Sequence, residues 1–244
     1  MRIFVFADGV IGLNTIKFLK KKGENIIGVA VHPKKYQNLF YEIKKAYNKD
    51  VFVCGKKITS SKINKIKKLK PDVILVAYWR FLLEKQVIDI PKLACVNFHL
   101  GYLPFNRGAN PNVWSIIDGS VAGSTIHKIN KDIDTGDIIC QKKTKHNLLD
   151  TGKSLHDRTI EDFNVMLKKN WDKIKKRQFS GQKQNILKGN THYRKQFKKL
   201  SKIDLKKKYL PLDLFNILRA KMFKPYQPAY FIYKRKKYFV EIKI

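Results

Sequence analysis

The sequence predicts an α/β fold: a Rossmann-like, mostly parallel sheet with helices on both faces, followed by a small C-terminal α+β appendage. Three observations carry that prediction. The apolar runs Arg2–Ala7, Asn25–Val31 and Val73–Ala77 are continuous rather than alternating, as in strands covered on both faces. Stretches with apolar residues at helical spacing lie between them, joined by glycine turns, which is how parallel sheets begin. A chain of 244 residues is long enough to bury roughly 70% of its unfolded surface.

In chain order, residues 2–7 read as a strand, 8–12 as a glycine turn and 13–22 as a helix stopped by Gly23, with Leu13, Ile16, Phe18 and Leu19 on one side. The turn lacks G-x-G-x-x-G and no acidic residue closes the strand that follows, which argues against a dinucleotide site. The mouth of such a sheet is still where ligands bind. A helix is expected over 36–47, a strand over 51–54 and a lysine-rich helix from Ser60 or Ser61 to 69 with Ile63, Ile66 and Leu69 as its apolar side. The strand 73–77 runs into the loop Tyr78-Trp79-Arg80-Phe81-Leu82. Further on, strands are expected at 94–98, 123–129 and 137–141, and a short helix at 112–118. A long helix follows over 155–176, capped by Thr151 or Ser154. Asp150-Thr151-Gly152-Lys153-Ser154 imitates the end of a P-loop, but Asn147 stands where its first glycine belongs. Residues 178–190 are polar and mark a boundary, giving a catalytic unit over 1–180 and a C-terminal region over 181–244. That region should hold a helix at 212–220 and a hairpin pairing 229–233 with 238–244 across the basic turn 234–237.

No apolar stretch approaches the roughly 20 residues of a membrane helix, and Met1 leads straight into an apolar strand, so a cytoplasmic protein is expected. The three cysteines, Cys54, Cys95 and Cys140, are far apart in apolar runs and read as reduced core residues. The formal net charge of +33 invites a nucleic-acid reading. Only eight of the 52 basic residues are arginine, however, and the lysines lie along the whole chain. Dedicated phosphate readers favour the guanidinium fork, so a compositional coat of lysine accounts for most of the charge.

The chemistry concentrates between Cys95 and Lys143. In the strand that ends Asn97-Phe98-His99, side chains two apart point the same way, so Asn97 and His99 face one pocket. Asp134 lies in the polar turn 130–136 between the next two strands. A histidine at a strand end is often scaffolding, yet a carboxylate delivered to an imidazole is the recurrent logic of acid–base sites. His127 fits either a supporting or a buried structural role. Arg107 in the following loop, and Arg219 with Phe223 and Tyr226 in the tail, suit a diphosphate and a base; a surface ion pair and tail packing are the alternatives.

The order N-x-H-x-x-x-L-P, an R-G pair opening a loop and helix, and then D-T-G-D resembles the formyltransferases that use N10-formyltetrahydrofolate. These include enzymes acting on glycinamide ribonucleotide, on methionyl-tRNA and on nucleotide-linked amino sugars. The resemblance extends over roughly residues 1–180 and is specific between Asn97 and Ile139. It implies Asn97, His99 and Asp134 as the catalytic triad, and Arg80, Phe81, Leu82 and Ile133 as the lining of the pterin pocket. It also implies a possible homodimer and a reaction without a metal. The string Asn106-Arg107-Gly108-Ala109-Asn110-Pro111-Asn112 and the ending Leu218-Arg219-Ala220 with Pro225-Tyr226 look most like the sugar-nucleotide enzymes, with dTDP or a similar carrier. Transfer to methionyl-tRNA is the runner-up, disfavoured because residues 186–244 are too few for a five-stranded barrel. A basic nucleic-acid-binding protein without activity is the other class. On this reading Asn97 and a protonated His99 donate to the oxyanion, and Asp134 keeps the imidazole charged by raising its pKa.

Overall fold

The computed structural model describes residues 1–243. Five parallel strands form the body of its main sheet: β1 (Arg2–Ala7), β2 (Asn25–Val31), β3 (Phe52–Val53), β4 (Val73–Ala77) and β5 (Ala94–His99). The short β6 (Arg107–Gly108) lies outside it, and β7 (Ala122–Lys128) and β8 (Ile138–Thr144) extend it antiparallel. The seven strands run in the order β3-β2-β1-β4-β5-β7-β8. The mostly parallel doubly covered sheet is therefore as expected.

Strand parity divides the core. On β1, Ile3, Val5 and Ala7 point to one face, where α1 (Gly9–Lys21) and α2 (Phe40–Tyr47) pack. Phe4 and Phe6 point to the other, with Ile63 and Ile66 of α3 (Ser60–Lys68) and Val87 of α4 (Lys85–Ile88). After α5 (Pro111–Asp118), the long α6 (Gly152–Lys176) lays Phe163, Met166, Leu167, Trp171 and Ile174 on the first face. Its start is fixed by a capping box in which Thr151 accepts from the Ser154 N–H and Ser154 returns a bond to Thr151 N, both at 3.0 Å. The tail adds β9 (Thr191–His192), α7 (Arg194–Leu200), α8 (Pro211–Ala220) and a hairpin of β10 (Ala229–Tyr233) with β11 (Lys236–Val240). Among the described residues no helix is long and apolar enough to cross a membrane.

Several boundaries differ from expectation. α1 begins at Gly9, because Gly12 lets the helix pass so close to β1 that a Cβ there would sit 2.9 Å from Ala7. Residues 34–36 form a single 3-10 turn, and α2 starts only at Phe40. α4 is one turn long and α7 carries few apolar residues, so neither announces itself by periodicity. The hairpin turn is the pair Lys234-Arg235 at φ 44° and 64°, so Tyr233 faces Lys236 and the second strand starts earlier than expected. The expected end of that strand at Ile244 lies outside the described residues.

Trp171 anchors the α6 face. It is 1% exposed, and its indole N–H donates to Glu24 Oε1 at 2.7 Å. Trp171→Ala is expected to lower the unfolding free energy by about 3–5 kcal/mol through cavity formation, read by chemical denaturation; a loss well under 1 kcal/mol would show that α6 does not depend on this residue.

Candidate active site

β5 and β7 run antiparallel with Asn97 opposite His127 and His99 opposite Thr125, so both histidines reach the same end of the sheet. The register of β7 and β8 shifts between Ile126 and His127, leaving Ile139 of β8 without an opposite residue, while His127 keeps its regular place opposite Asn97. Asp134 comes from the β7–β8 turn and sits in the left-handed region at φ 52°. Its carboxylate is 15% exposed. The Asn97 amide N–H donates to Asp134 Oδ1 at 3.1 Å and the Gly108 N–H donates to Oδ2 at 2.9 Å. His99 Nδ1 lies 3.4 Å from Oδ2, and His127 Nε2 lies 3.3 Å from Oδ1. The three expected catalytic residues are thus brought together, and His127 joins them. Its signal in the sequence was its strand parity opposite Asn97.

His99 is 7% exposed, and its Nε2 is buried without a partner. Gly101 makes room for this ring, since a Cβ there would lie 2.5 Å from Nε2. The other histidine is oriented by its own main chain: His127 Nδ1 donates to the Lys128 carbonyl at 2.7 Å, and its Nε2 lies 3.1 Å from the Asn97 amide nitrogen. Both amide hydrogens of Asn97 are therefore directed at Asp134 and His127, and in this arrangement Asn97 holds the carboxylate rather than presenting a free oxyanion donor.

Burial would raise the Asp134 carboxyl, but His99, His127 and the Gly108 N–H together outweigh it and hold the group well below the usual carboxylate range. For His99 the balance is reversed. Burial pushes the imidazole down and outweighs the upward pull of Asp134. The expectation of a raised pKa and a resting imidazolium is therefore corrected, because complete burial costs the cation more than one carboxylate returns. A neutral His99 with its proton on Nδ1, the nitrogen that faces Asp134, keeps a lone pair on Nε2, the state of a general base.

The sign of the pH dependence follows. Activity that needs neutral His99 falls on the acid side as the pH drops through its depressed pKa. Removing the carboxylate removes the only upward charge on it, so Asp134→Asn should lower kcat by roughly a hundredfold or more and move the acid limb of kcat to lower pH. An unmoved limb would show that Asp134 does not tune the imidazole.

A second cluster lines the same edge of the sheet at the ends of β1 and β4. Asp8 follows β1, is 5% exposed, and is pushed up to about 6 by burial against the opposing pull of Arg80 and Arg194. Tyr78 follows β4 at φ 64°, and its hydroxyl lies 3.2 Å from His156 Nε2. Phe223 meets His156 edge-on at 5.0 Å and Tyr226 lies 5.6 Å from Phe223. The exposed Arg80 donates from Nη2 to the Tyr36 carbonyl at 2.8 Å, and Arg194 donates to the Arg80 carbonyl. Phe81 packs 5.1 Å from His32 and 5.6 Å from Tyr36, while Leu82 is 74% exposed. Ile133 is half-buried immediately before Asp134.

The two arginines expected to meet substrate are both buried and hydrogen-bonded within the protein. Arg107, 7% exposed, donates to Thr191 Oγ1 at 3.0 Å, to the carbonyls of Pro104 and Ile186 at 3.1 and 3.2 Å, and towards that of Gly189 at 3.4 Å. Arg219, 5% exposed, donates to Asn216 Oδ1 at 2.8 Å and to the carbonyls of Asn147 and Asp150 at 3.0 and 2.8 Å. Both guanidiniums tie loops together, a use the sequence conceals because it does not show which carbonyls surround them. Arg194, which the structure brings beside Arg80, has no signal in the sequence beyond being an arginine in a lysine-rich segment.

Because the folded carboxyl of Asp8 is raised, its contribution to stability is complete below its unfolded pKa near 4 and is lost as the pH rises through about 6. Asp8→Asn should therefore stabilise the protein at pH 7.5, by up to about 3 kcal/mol, and give little gain at pH 4. Equal gains at both values in thermal denaturation would rule out a buried, ionising carboxyl.

Comparisons with known proteins identify the family. The chain is 35% identical over 178 residues to the methionyl-tRNA formyltransferase of Clostridium beijerinckii, covering 72% of this chain and 55% of that protein. It is 32% identical over 143 residues to the dTDP-4-amino-4,6-dideoxyglucose formyltransferase of Mycobacterium tuberculosis, covering 59% of this chain and 61% of that protein. It thus spans just over half of the length of these relatives. A solved 4-N formyltransferase from Francisella tularensis superposes with a TM-score of 0.82 at 27% identity, covering 100% of this chain and 97% of that one. Residues 196–244 match the N-formyltransferase dimerization C-terminal domain. Residues 1–168, which carry Asn97 and His99 on β5 and Asp134 in the β7–β8 turn, match the formyl transferase model, and the chain belongs to that family.

Proposed function

We propose that the protein transfers a formyl group from N10-formyltetrahydrofolate to the primary amine of a nucleotide-linked amino sugar, dTDP-linked or similar. The observation that carries the chemistry is the buried, unpartnered His99 Nε2 beside an ionised Asp134. The choice of a sugar nucleotide is supported by the dTDP-amino-sugar relative and by the N-formyltransferase dimerization domain at residues 196–244. The same domain supports a homodimer, and the three free cysteines support a cytoplasmic setting.

N10-formyltetrahydrofolate, when bound, supplies the formyl carbon and a nitrogen leaving group. Phe81 against His32 and Tyr36, with Leu82 exposed next to it in the chain, makes an apolar shelf that fits a flat pterin, and Ile133, half-buried immediately before Asp134, is the other apolar residue the resemblance assigns to that pocket. The amine must arrive uncharged to attack. His99 Nε2 accepts the proton that the amine loses as its bond to the formyl carbon forms, and the imidazolium then donates to the oxyanion. It returns that proton to the departing folate nitrogen as the old carbon–nitrogen bond breaks. Asp134 stabilises the transient imidazolium, and Asn97 with His127 keeps Asp134 in place. For the substrate, the exposed guanidiniums of Arg80 and Arg194 suit a diphosphate, taking the task expected of Arg107 and Arg219, and Phe223 with the 66% exposed Tyr226 suits a base.

Formyl transfer to a panel of amino-sugar nucleotides and to initiator tRNA, titrated with salt side by side, tests this reading. A diphosphate makes about two phosphate contacts, so catalytic efficiency should change less than about tenfold between 50 and 200 mM salt. Arg194→Ala should raise KM for the sugar nucleotide by roughly tenfold. Efficient transfer to the tRNA with none to the sugars would overturn the choice of substrate.

A further inference from the structure

After α6 the chain does not leave the catalytic unit. It returns along the β7–β8 turn and the loop after β5, and it grips both. Gln182 exchanges two main-chain bonds with Ile138, each at 2.8 Å. Two residues later the Gln184 amide donates to the carbonyls of Asp134 at 2.9 Å and Gly136 at 2.6 Å. Asn190 Oδ1 accepts from the Asn106 N–H at 2.8 Å, and β9 pairs in parallel with β6, placing Thr191 beside Arg107 and His192 beside Gly108. Gly108 is the residue whose N–H holds Asp134 Oδ2. It sits at φ 89°, so close to β9 that a Cβ would lie 2.2 Å from the His192 carbonyl.

Asp134 is a non-glycine residue held in the left-handed region, a conformation that persists only where its surroundings enforce it. One side of the turn is enforced from within, since Gly136 lies so close to the Lys128 carbonyl that a Cβ there would be 1.9 Å away. The other side has Gln184. Its two donors go to the carbonyls flanking Thr135, and they reach no solvent-facing partner. Segment 182–192 therefore bears on the catalytic carboxylate twice: on its main chain through Gln184, and on its Oδ2 through Gly108.

We propose that Gln184 is a positioning residue for the transfer reaction, clamping the Asp134 turn so that the carboxylate stays within reach of His99 Nδ1. The proposal rests on the formyl-transfer reading for its kinetic consequence alone. The titratable groups facing His99 are Asp134 and His127, and only Asp134 sits on the clamped turn. Slackening the clamp thus removes the upward pull on His99 while leaving His127 where it is.

Three variants test this. Gln184→Leu keeps the bulk and deletes the donors, Gln184→Glu replaces them with acceptors facing two carbonyls, and Gln184→Lys restores N–H donors on a longer stem. Each is measured for kcat and KM with an amino-sugar nucleotide, and for the His99 imidazole titration by NMR without substrates. The leucine variant should lower kcat about tenfold with KM changed less than about threefold, and its His99 titration should move to lower pH. The glutamate variant should be lower still, and the lysine variant should recover to within about threefold of wild type. Wild-type kcat and an unmoved titration in the leucine variant would overturn the proposal, as would a lysine variant no better than leucine, which would reduce the residue to packing. Should the wild type formylate no sugar nucleotide, the transfer reading fails, and the titration alone still decides whether Gln184 holds the carboxylate.

Discussion

A buried carboxylate is the constraint that the active end of this molecule is built around. An ionised Asp134 in a nearly dry site would cost several kcal/mol if left alone. The chain surrounds it with N–H donors from separate elements, Asn97 on β5 and Gly108 on β6, and brings the imidazoles of β5 and β7 to within 3.4 Å and 3.3 Å of its two oxygens. Each donor requires its own support. Gly108 reaches the carboxylate because β9 packs against it with no side chain between, and Asn97 because the β5–β7 register sets it opposite His127. The loop 101–110 and segment 182–192 each bring one donor to residue 134, the Gly108 N–H to its carboxylate and the Gln184 amide to its carbonyl.

The same carboxylate explains why a buried histidine can work as a base. Burial favours the neutral form of His99 and the fixed Asp134 opposes it, so that, on the formyl-transfer reading proposed above, the imidazole can take up the proton that the attacking amine releases. A site with a permanent imidazolium beside Asp134 would instead bring a positive charge against the incoming amine and have no lone pair to offer. The pairing of a depressed imidazole with a strongly ionised carboxyl is the arrangement in which a proton moves in one direction and then back.

Most of the fold was legible because it rests on patterns a strand or helix imposes on its own sequence. Continuous apolar runs gave β1, β2 and β4, and the two-residue spacing of Asn97 and His99 placed both at the site. What stayed illegible depends on neighbours distant in the chain. Arg107 and Arg219 carry the residue type of a phosphate reader, yet their donors meet the carbonyls of Ile186 and Gly189 or Asn147 and Asp150, from segments between 69 and 82 residues away. The direction of the His99 shift depends on how completely it is buried, and a motif does not state burial. Gln184 looked like linker because polarity is all a sequence shows of an amide that serves two carbonyls. The turn 130–136 marks Asp134 as a candidate without revealing that its backbone must be restrained from outside.

Charge shows the same division between composition and placement. Lysine coats the surface, and where it is buried, as in Lys221 against the Phe197 ring, burial pushes its pKa down to about 8. The lysine coat contributes a diffuse field that salt screens over about 8–10 Å. Four of the eight arginines have directed surroundings: Arg107 and Arg219 are hydrogen-bonded inside the protein, and Arg80 and Arg194 stand exposed around Asp8. A partner that binds many phosphates would need the lysines, which have no common face in the sequence. A compact diphosphate needs only two guanidiniums held near the sheet edge, and those two are the ones the fold leaves with their charges facing outward beside a carboxyl that burial keeps reluctant to ionise.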